Sequence, residues 1–203
     1  MRAAVAAAHE RGLPVAAHAH GTDTMDLCAG AGVDTIEHGG WLTGPTADPR
    51  CYDVRAEIAD RIAEQQIAVC PTRSRDWRNW PPDAGLDGLL ERLAWMRQRG
   101  VRLIAGTDAG VGAGRYDDLV EALALYVAAG WSTAAALSSA TTLAAEALGL
   151  GGRTGRLEPG YSADMVVVAG DPLCDLDALR AVRCVVARGQ LHFPARSGRP
   201  GTS

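Results

Sequence analysis

The chain has 203 residues, of which 47% are hydrophobic and 22% are charged, a composition typical of a globular protein rather than a disordered one. Its net charge of −4 gives no electrostatic reason to expect nucleic acid or an anionic membrane surface as a partner. No stretch approaches about 18 consecutive apolar residues, and the N-terminus lacks the apolar core of a signal peptide. The five cysteines form no C-x-x-C pair, so we expect reduced thiols and a cytoplasmic protein.

Helices and strands are predicted to alternate through the first three quarters of the chain. In chain order, the predicted elements are a helix over 2–11, a strand over 13–19, a helix over 21–32, a strand over 33–40, a helix over 53–65, a strand over 66–72, a helix over 86–99, a strand over 101–108, and helices over 116–129 and 132–148. Loops are predicted over 73–85 and around Pro45 and Pro49. Apolar strands that alternate with helices are typical of a parallel sheet buried between helices, so the predicted fold class is α/β.

The character of the sequence changes near residue 151. From there, short runs of β-branched residues such as "DMVVV" alternate with turns rich in Gly, Pro and Asp. We therefore predict three parts: a β/α unit over 1–150, a small β appendage over 151–193 and a flexible tail over 194–203.

Three polar residues are predicted to lie at the C-terminal ends of different parallel strands: His18, His38 and Asp108. Imidazole and carboxylate groups are ligands of zinc-like ions, and parallel strands bring their C-terminal ends to one rim. Each residue alone also has an ordinary explanation, since His18 can end a strand and Asp108 can cap a turn. The pattern of three strand ends favours a shared site.

Four strings, "VAAHAHG", "AGVDTIEHGG", "LIAGTDAG" and "GRLEPGYSADMVVVAGDPL", resemble in this order the amidohydrolase superfamily of metal-dependent hydrolases. The resemblance is to its imidazolonepropionase-like and Xaa-Pro dipeptidase-like members, and it covers nearly the whole chain apart from the tail. It implies a partial TIM (β/α)₈-type barrel, consisting of strands 5–8 with their helices, followed by a small β-sandwich portion.

The resemblance also implies the role of each residue. His18 is similar to the strand-5 metal ligand, His38 to the strand-6 ligand, and Asp108 to a strand-8 residue that binds metal and acts as general base. The implied cofactor is a divalent metal, zinc, which lowers the pKa of bound water toward neutrality. The implied reaction is hydrolysis of a C–N bond in an amide, a cyclic amide or a dipeptide.

Other residues near the predicted rim have two open interpretations. His20 is either a substrate-facing residue beside His18 or an exposed loop histidine. Arg73 and Trp77 follow the third predicted strand, where loops of the family line the substrate pocket, and they indicate an apolar pocket with an anion contact. Packing of a Pro-rich loop explains the tryptophan equally well.

The sequence departs from the family in what precedes the first strand. Family members carry a strand-1 His-x-His and often a strand-4 lysine that bridges two metals, whereas all 20 basic residues of this chain are arginines. We therefore expect the C-terminal half of a hydrolase that acts on a small-molecule amide or dipeptide, truncated and with doubtful activity by itself. One alternative is a non-catalytic remnant with a βα scaffold and at most a weak metal site. Another, ranked lowest, is a homo-oligomer in which two copies complete the core.

Overall fold

A computed structural model describes residues 1–44, 48, 50–80, 82, 85–112 and 114–194. In chain order, the elements are α1 (Arg2–His9), β1 (Ala16–Gly21), α2 (Thr22–Ala31), β2 (Thr35–Leu42), α3 (Ala56–Glu64), β3 (Ala68–Cys70), α4 (Leu86–Gln98), β4 (Arg102–Leu103), α5 (Leu119–Ala128), α6 (Thr133–Ala140), α7 (Thr142–Ala147), β5 (Met165–Val168), β6 (Val182–Ala187) and β7 (Gln190–His192). Short 3₁₀ turns occupy Arg75–Asn79 and Leu176–Arg180. Pro45, Pro49 and nearly all of the predicted tail, from residue 195 onward, lie outside the described residues.

The first four strands form one parallel sheet in the order β1-β2-β3-β4. Thr35 of β2 pairs with Ala16 on one side and with Ala68 on the other, and Ala68 pairs in turn with Arg102. Parallel neighbours require a crossover connection, and here a helix provides each crossover, which confirms the predicted mixed α/β class.

One face of the sheet packs against the main helical core, and on the other face Ala68, Cys70 and Ile104 form a smaller cluster with α7. Side chains alternate along β1, so Ala19 is buried whereas His18 and His20 are exposed on the opposite face. The core on the covered side contains large, fully buried side chains from strands and helices: Met25, Ile36, Trp41, Ile62, Val69, Leu93, Met96, Leu123, Leu125 and Tyr126. None of the helices in the described ranges has the length and apolar character needed to cross a bilayer.

Two predicted elements are shorter than expected. β4 ends at Leu103 rather than at Asp108: the N–H of Ile104 still bonds to the carbonyl of Val69, but Pro71, which follows β3, has no N–H with which to continue the ladder. The single helix predicted over 132–148 is two helices, α6 and α7, separated at Thr141, whose φ of −126° and ψ of −92° are not helical.

Residues after 151 contain a small antiparallel sheet in the order β5-β6-β7. Within the described residues it consists of these three strands, with β5 paired to β6 and β6 paired to β7. Its attachment to the helices includes Glu121 of α5, whose carboxylate accepts hydrogen bonds from Arg180, which precedes β6, and from Arg78. Since Glu121 is buried, this network fixes the position of both 3₁₀ turns on α5.

A second buried carboxylate, Asp118, anchors the loop after β3 to the start of α5. Asp118 is fully buried and accepts hydrogen bonds from Nε and the backbone N–H of Arg75, at 2.6 and 3.3 Å, and from the N–H of Arg115 at 2.9 Å. Burial alone raises the pKa of Asp118, but these hydrogen bonds outweigh it and lower the pKa to about 2.

Asp118→Asn is expected to lower the free energy of unfolding by about 2 kcal/mol at pH 7, because it removes a charged acceptor of three hydrogen bonds. A carboxyl group with a lowered pKa stabilises the fold above its unfolded pKa of about 3.9, and this contribution is lost as the pH falls toward 2. Urea unfolding at pH 7 and at pH 2 should therefore show a smaller difference between wild type and variant at the lower pH.

Asp117 provides the matched control, since it is the neighbouring carboxylate, it is exposed, and it also pairs with Arg75 and Arg115. We expect Asp117→Asn to change the free energy of unfolding by less than about 0.5 kcal/mol. Equal losses of stability in the two variants would contradict the role assigned to Asp118.

Candidate active site

The C-terminal ends of the four parallel strands lie at one edge of the sheet, which we call the strand-end rim (residues 18–20, 38–40, 71–73 and 105–108). The register sets the level of each strand at this rim: Ala19 pairs with His38, and Glu37 pairs with Cys70. The rim residues of the neighbouring strands therefore lie side by side at one level.

Three histidines meet at the rim. Nδ1 of His18 lies 2.6 Å from Nε2 of His38, a hydrogen-bond distance. The ring of His20 stacks on the ring of His38, with centroids 4.0 Å apart and planes 17° from parallel. The structure thus brings together two of the predicted ligands and the histidine predicted as their neighbour.

Thr72, just after β3, holds the other side of the His38 ring. Its Oγ1 lies 2.7 Å from Nδ1 of His38. When Nδ1 donates to Thr72, Nε2 of His38 is free to accept from Nδ1–H of His18, so one consistent set of tautomers satisfies both contacts. Thr72 was not among the predicted site residues, although its position two residues after the buried strand β3 is a signal in the sequence.

The pKa of His38 is lowered to about 4. Burial of the ring is the largest cause, and the neighbouring His20 and His18 add to it, whereas the charge of Asp108 acts in the opposite direction. His38 is therefore a neutral imidazole at pH 7, which is the form that binds metal ions.

The backbone at the rim is held in an unusual conformation. His38, Thr72 and Asp108 have φ values of 74°, 46° and 55°, in the left-handed region that residues other than glycine rarely adopt. Such conformations concentrate at functional sites, where the surrounding structure over-determines them. These three positions lie on neighbouring parts of the sheet: His38 within β2, Thr72 two residues after β3 and Asp108 five residues after β4.

Two glycines that follow His38 permit this close packing. A Cβ atom on Gly39 would lie 2.5 Å from Cγ1 of Val69, and one on Gly40 would lie 2.7 Å from the carbonyl oxygen of His20. Neither position has room for a larger residue, so the Gly-Gly pair is what allows β2 to approach its two neighbours behind the histidine.

Asp108 lies on the same rim but apart from the imidazoles. It is exposed, five residues beyond the end of β4, and its charge raises the pKa of His38. Within the described residues, no hydrogen bond joins its carboxylate to His18 or His38. The strand-end placement of Asp108 thus depends on the irregular chain after Leu103 rather than on a regular strand.

The two tryptophans of the loop after β3, Trp77 and Trp80, have different surroundings. Trp77 is buried in the core, where its Nε1 donates to the carbonyl of Glu121 at 3.0 Å. Trp80 instead packs against Arg73, with the guanidinium carbon 5.3 Å from the ring centroid. Trp80 is therefore the tryptophan of this loop that contacts Arg73, whereas Trp77 anchors the loop to the core through α5.

The donor chemistry at the rim fits part of a zinc site. Two imidazole nitrogens converge on one point, and His38 is neutral and oriented from its far side by Thr72, as metal-binding histidines commonly are. Binding one ion requires the two nitrogens to separate to about 3.3 Å. The described residues contain no group of three or more His, Cys, Asp or Glu placed to hold a metal, so the fit extends to two donors. Cys70 does not add a third, because burial raises the pKa of its thiol to about 12.

Comparison with known proteins is consistent with this arrangement. The model of the amidohydrolase family matches residues 1–191. The chain belongs to the amidohydrolase family. An uncharacterised protein of Mycobacterium tuberculosis (strain ATCC 25618 / H37Rv) is 31% identical over an alignment 211 positions long, which covers 96% of this chain and 52% of that protein.

Solved structures of amidohydrolase relatives share the fold. A Xaa-Pro dipeptidase with methionine bound in its active site is 28% identical, with a TM-score of 0.78 over 95% of this chain and 48% of that one. A prolidase in complex with N-methylphosphonate-L-proline is 26% identical, with a TM-score of 0.75 over 96% of this chain and 48% of that one. The chain thus spans about half the length of the relatives that it matches.

Gly106→Ala is expected to lower the free energy of unfolding by about 2 kcal/mol, because the added Cβ would lie 2.4 Å from Sγ of the buried Cys70. Cys70→Ala removes that sulfur, so the double variant should lose about 1 kcal/mol less than the sum of the two single variants. Chemical unfolding of all three measures this coupling.

Gly152→Ala provides the control, since a Cβ there meets nothing within 4 Å. We expect it to change stability by less than about 0.5 kcal/mol. Strictly additive effects of Cys70→Ala and Gly106→Ala would mean that the close approach of β3 and the chain after β4 does not hold the rim.

Proposed function

We propose that this chain carries one half of the active site of a metal-dependent hydrolase that cleaves a C–N bond in a small-molecule amide, cyclic amide or dipeptide. The observation that carries the proposal is the convergence of Nδ1 of His18 and Nε2 of His38, which lie on the adjacent parallel strands β1 and β2. Family membership supports the hydrolase class, and the likeness to a Xaa-Pro dipeptidase supports a C–N bond as the target.

The proposed architecture is the second half of a (β/α)₈ barrel. In it, β1 to β4 correspond to strands 5–8, and the exposed face of β1 that carries His18 and His20 lines the barrel interior. The match to about half of each solved structure supports this assignment. The remaining strands and metal ligands then come from further polypeptide, either in the same chain or in a partner.

In this proposal, His18 and His38 hold a divalent zinc ion, and Thr72 keeps the His38 ring in the orientation that directs Nε2 to the site. When bound, the metal lowers the pKa of a water molecule toward neutrality. Asp108 accepts the proton of the attacking water on a carboxylate oxygen and passes it to the leaving nitrogen. Its exposed position beyond β4 leaves the carboxylate accessible for both transfers.

One observation favours a second candidate function. Only two donors are in contact in the described part of the chain, so a non-catalytic remnant with a weak metal site is also consistent with the rim. The two candidates differ in whether zinc binding depends on all three of the proposed residues. They also differ in whether adding the missing half restores turnover.

His18→Ala and His38→Ala are each expected to weaken zinc binding by at least about 10-fold, because each removes one of the converging nitrogens. Asp108→Asn should weaken it less, since Asp108 does not contact the histidines. Titration against a chromophoric zinc chelator measures the affinities. The control is His192→Ala, which removes an exposed histidine of β7; zinc affinity that is equal in wild type, His18→Ala and His38→Ala would refute the site.

Thr72 allows a finer test through a conservative pair of variants. Thr72→Val removes the hydroxyl that binds Nδ1 of His38 and is expected to weaken zinc binding about 10-fold, whereas Thr72→Ser retains the hydroxyl and should stay close to wild type. The same chelator titration applies. If Thr72→Val and Thr72→Ser bind zinc equally, Thr72 does not orient the histidine.

A further inference from the structure

We propose that His20 is a positioning residue: its ring stacks on the ring of His38 and holds that imidazole in the orientation in which Nε2 faces His18. This inference rests on the proposed hydrolase function and deepens it, because it gives His20 a role beside the two proposed metal ligands that requires the face of its ring rather than its nitrogens. It follows from strand pairing, backbone conformation and the contacts among three rings.

The pairing of β1 with β2 is irregular at the position of His20. Ala19 of β1 pairs with His38 of β2. Two residues later on β1, Gly21 pairs with Leu42, which is four residues after His38. β2 therefore has two extra residues opposite His20, which form a bulge. Bulges re-aim side chains, and the side chain next to this one is the imidazole of His38.

The bulge turns the ring of His38 to the face of the sheet that carries His20. Directly paired residues of neighbouring strands point to the same face, so a regular strand would direct His38 toward the helical core together with the buried Ala19. The φ of His38 is 74° instead, and its ring contacts the rings of His18 and His20. The orientation of His38 therefore depends on what its ring touches.

Three contacts surround the ring of His38. Its Nδ1 lies 2.7 Å from Oγ1 of Thr72, and its Nε2 lies 2.6 Å from Nδ1 of His18. His20 contacts a face of the ring instead of a nitrogen, with centroids 4.0 Å apart and planes 17° from parallel. The centroids of His18 and His38 are farther apart, at 4.8 Å. Stacking by His20 therefore opposes a tilt of the His38 ring, which contacts at the nitrogens alone restrain less.

The position of His20 itself is fixed by the backbone. A Cβ on Gly40 would lie 2.7 Å from the carbonyl oxygen of His20, so the bulge of β2 packs directly on the chain of β1. Within the residues that the structure describes, neither ring nitrogen of His20 makes a hydrogen bond. The imidazole therefore contributes its face alone, and a phenyl ring can replace it without loss of a hydrogen bond.

Variants of His20 separate the ring from its nitrogens. His20→Ala removes the stacked ring and is expected to weaken zinc binding about 5-fold, because the ring of His38 can then tilt away from His18. His20→Phe retains an aromatic face and has no nitrogen, so it should bind zinc within about 2-fold of wild type. Titration against a chromophoric zinc chelator measures both affinities, and circular dichroism verifies that each variant is folded.

Proton NMR of the metal-free chain tests the stack independently of zinc. The ring current of a stacked aromatic ring moves protons above its face upfield, and the signals of the His38 ring are assigned as those that His38→Ala lacks. They should move downfield in His20→Ala and stay upfield in His20→Phe. The control is His192→Ala, which removes an exposed histidine of β7 and should change neither these signals nor the zinc affinity.

Two results of the titration would overturn the proposal. One is equal zinc affinity in wild type and His20→Ala. The other is equally weak binding in His20→Ala and His20→Phe, which would mean that a nitrogen of His20 binds the metal.

Failure of the proposed function is distinguishable from these results. Zinc affinity that ignores His18 and His38 would reject the metal site, and the NMR signals of the metal-free chain would then still decide the role of His20. Signals of the His38 ring that are unchanged in His20→Ala would overturn that role in either case.

Discussion

The register of the parallel sheet is the constraint on which the rim depends. Ala19 lies opposite His38, and Glu37 lies opposite Cys70, so the rim residues of β1, β2 and β3 lie at one level. Side chains alternate along a strand, and a slip of one residue would turn His18 toward the helices and expose Ala19. The contact between His18 and His38 is therefore a direct consequence of strand pairing, rather than of a flexible loop that could reach the site in many ways.

Close packing behind the rim keeps that register while the backbone is strained. Gly39 and Gly40 bring β2 against Val69 and the carbonyl of His20, distances that no Cβ allows. In front of them, His38 and Thr72 hold left-handed conformations and share a hydrogen bond. The glycines and the strained polar residues depend on each other. Because Gly39 and Gly40 have no Cβ atoms, β2 can pack closely enough for the imidazole of His38 to contact His18.

The sequence predicted the parts of this site that follow from strand order. Apolar strands in a β/α alternation end at one edge, so His18 and His38 could be assigned to the rim without coordinates. Thr72 was not found, because its importance comes from a distance to a particular ring nitrogen, which composition and spacing do not contain. The sequence also does not indicate which of Trp77 and Trp80 is buried and which contacts Arg73, since the phase of a short 3₁₀ turn decides it.

The position of Asp108 could be predicted only in part from the sequence. Its string "GTDAG" predicts a strand end, but the ladder between β3 and β4 stops where Pro71 has no N–H to donate, which leaves Asp108 on irregular chain. The two histidines thus rest on the sheet, whereas the aspartate rests on a loop packed against α6. The position of Asp108 therefore depends on the packing of this loop rather than on strand pairing.

X-ray absorption spectroscopy of the zinc-loaded chain shows whether the imidazoles of His18 and His38 bind the metal as proposed. We expect a shell of nitrogen and oxygen atoms at about 2.0–2.1 Å, with the outer-shell scattering of two imidazole rings that is lost when His18 and His38 are replaced. A dominant sulfur shell at about 2.3 Å, or a spectrum without imidazole scattering, would contradict it.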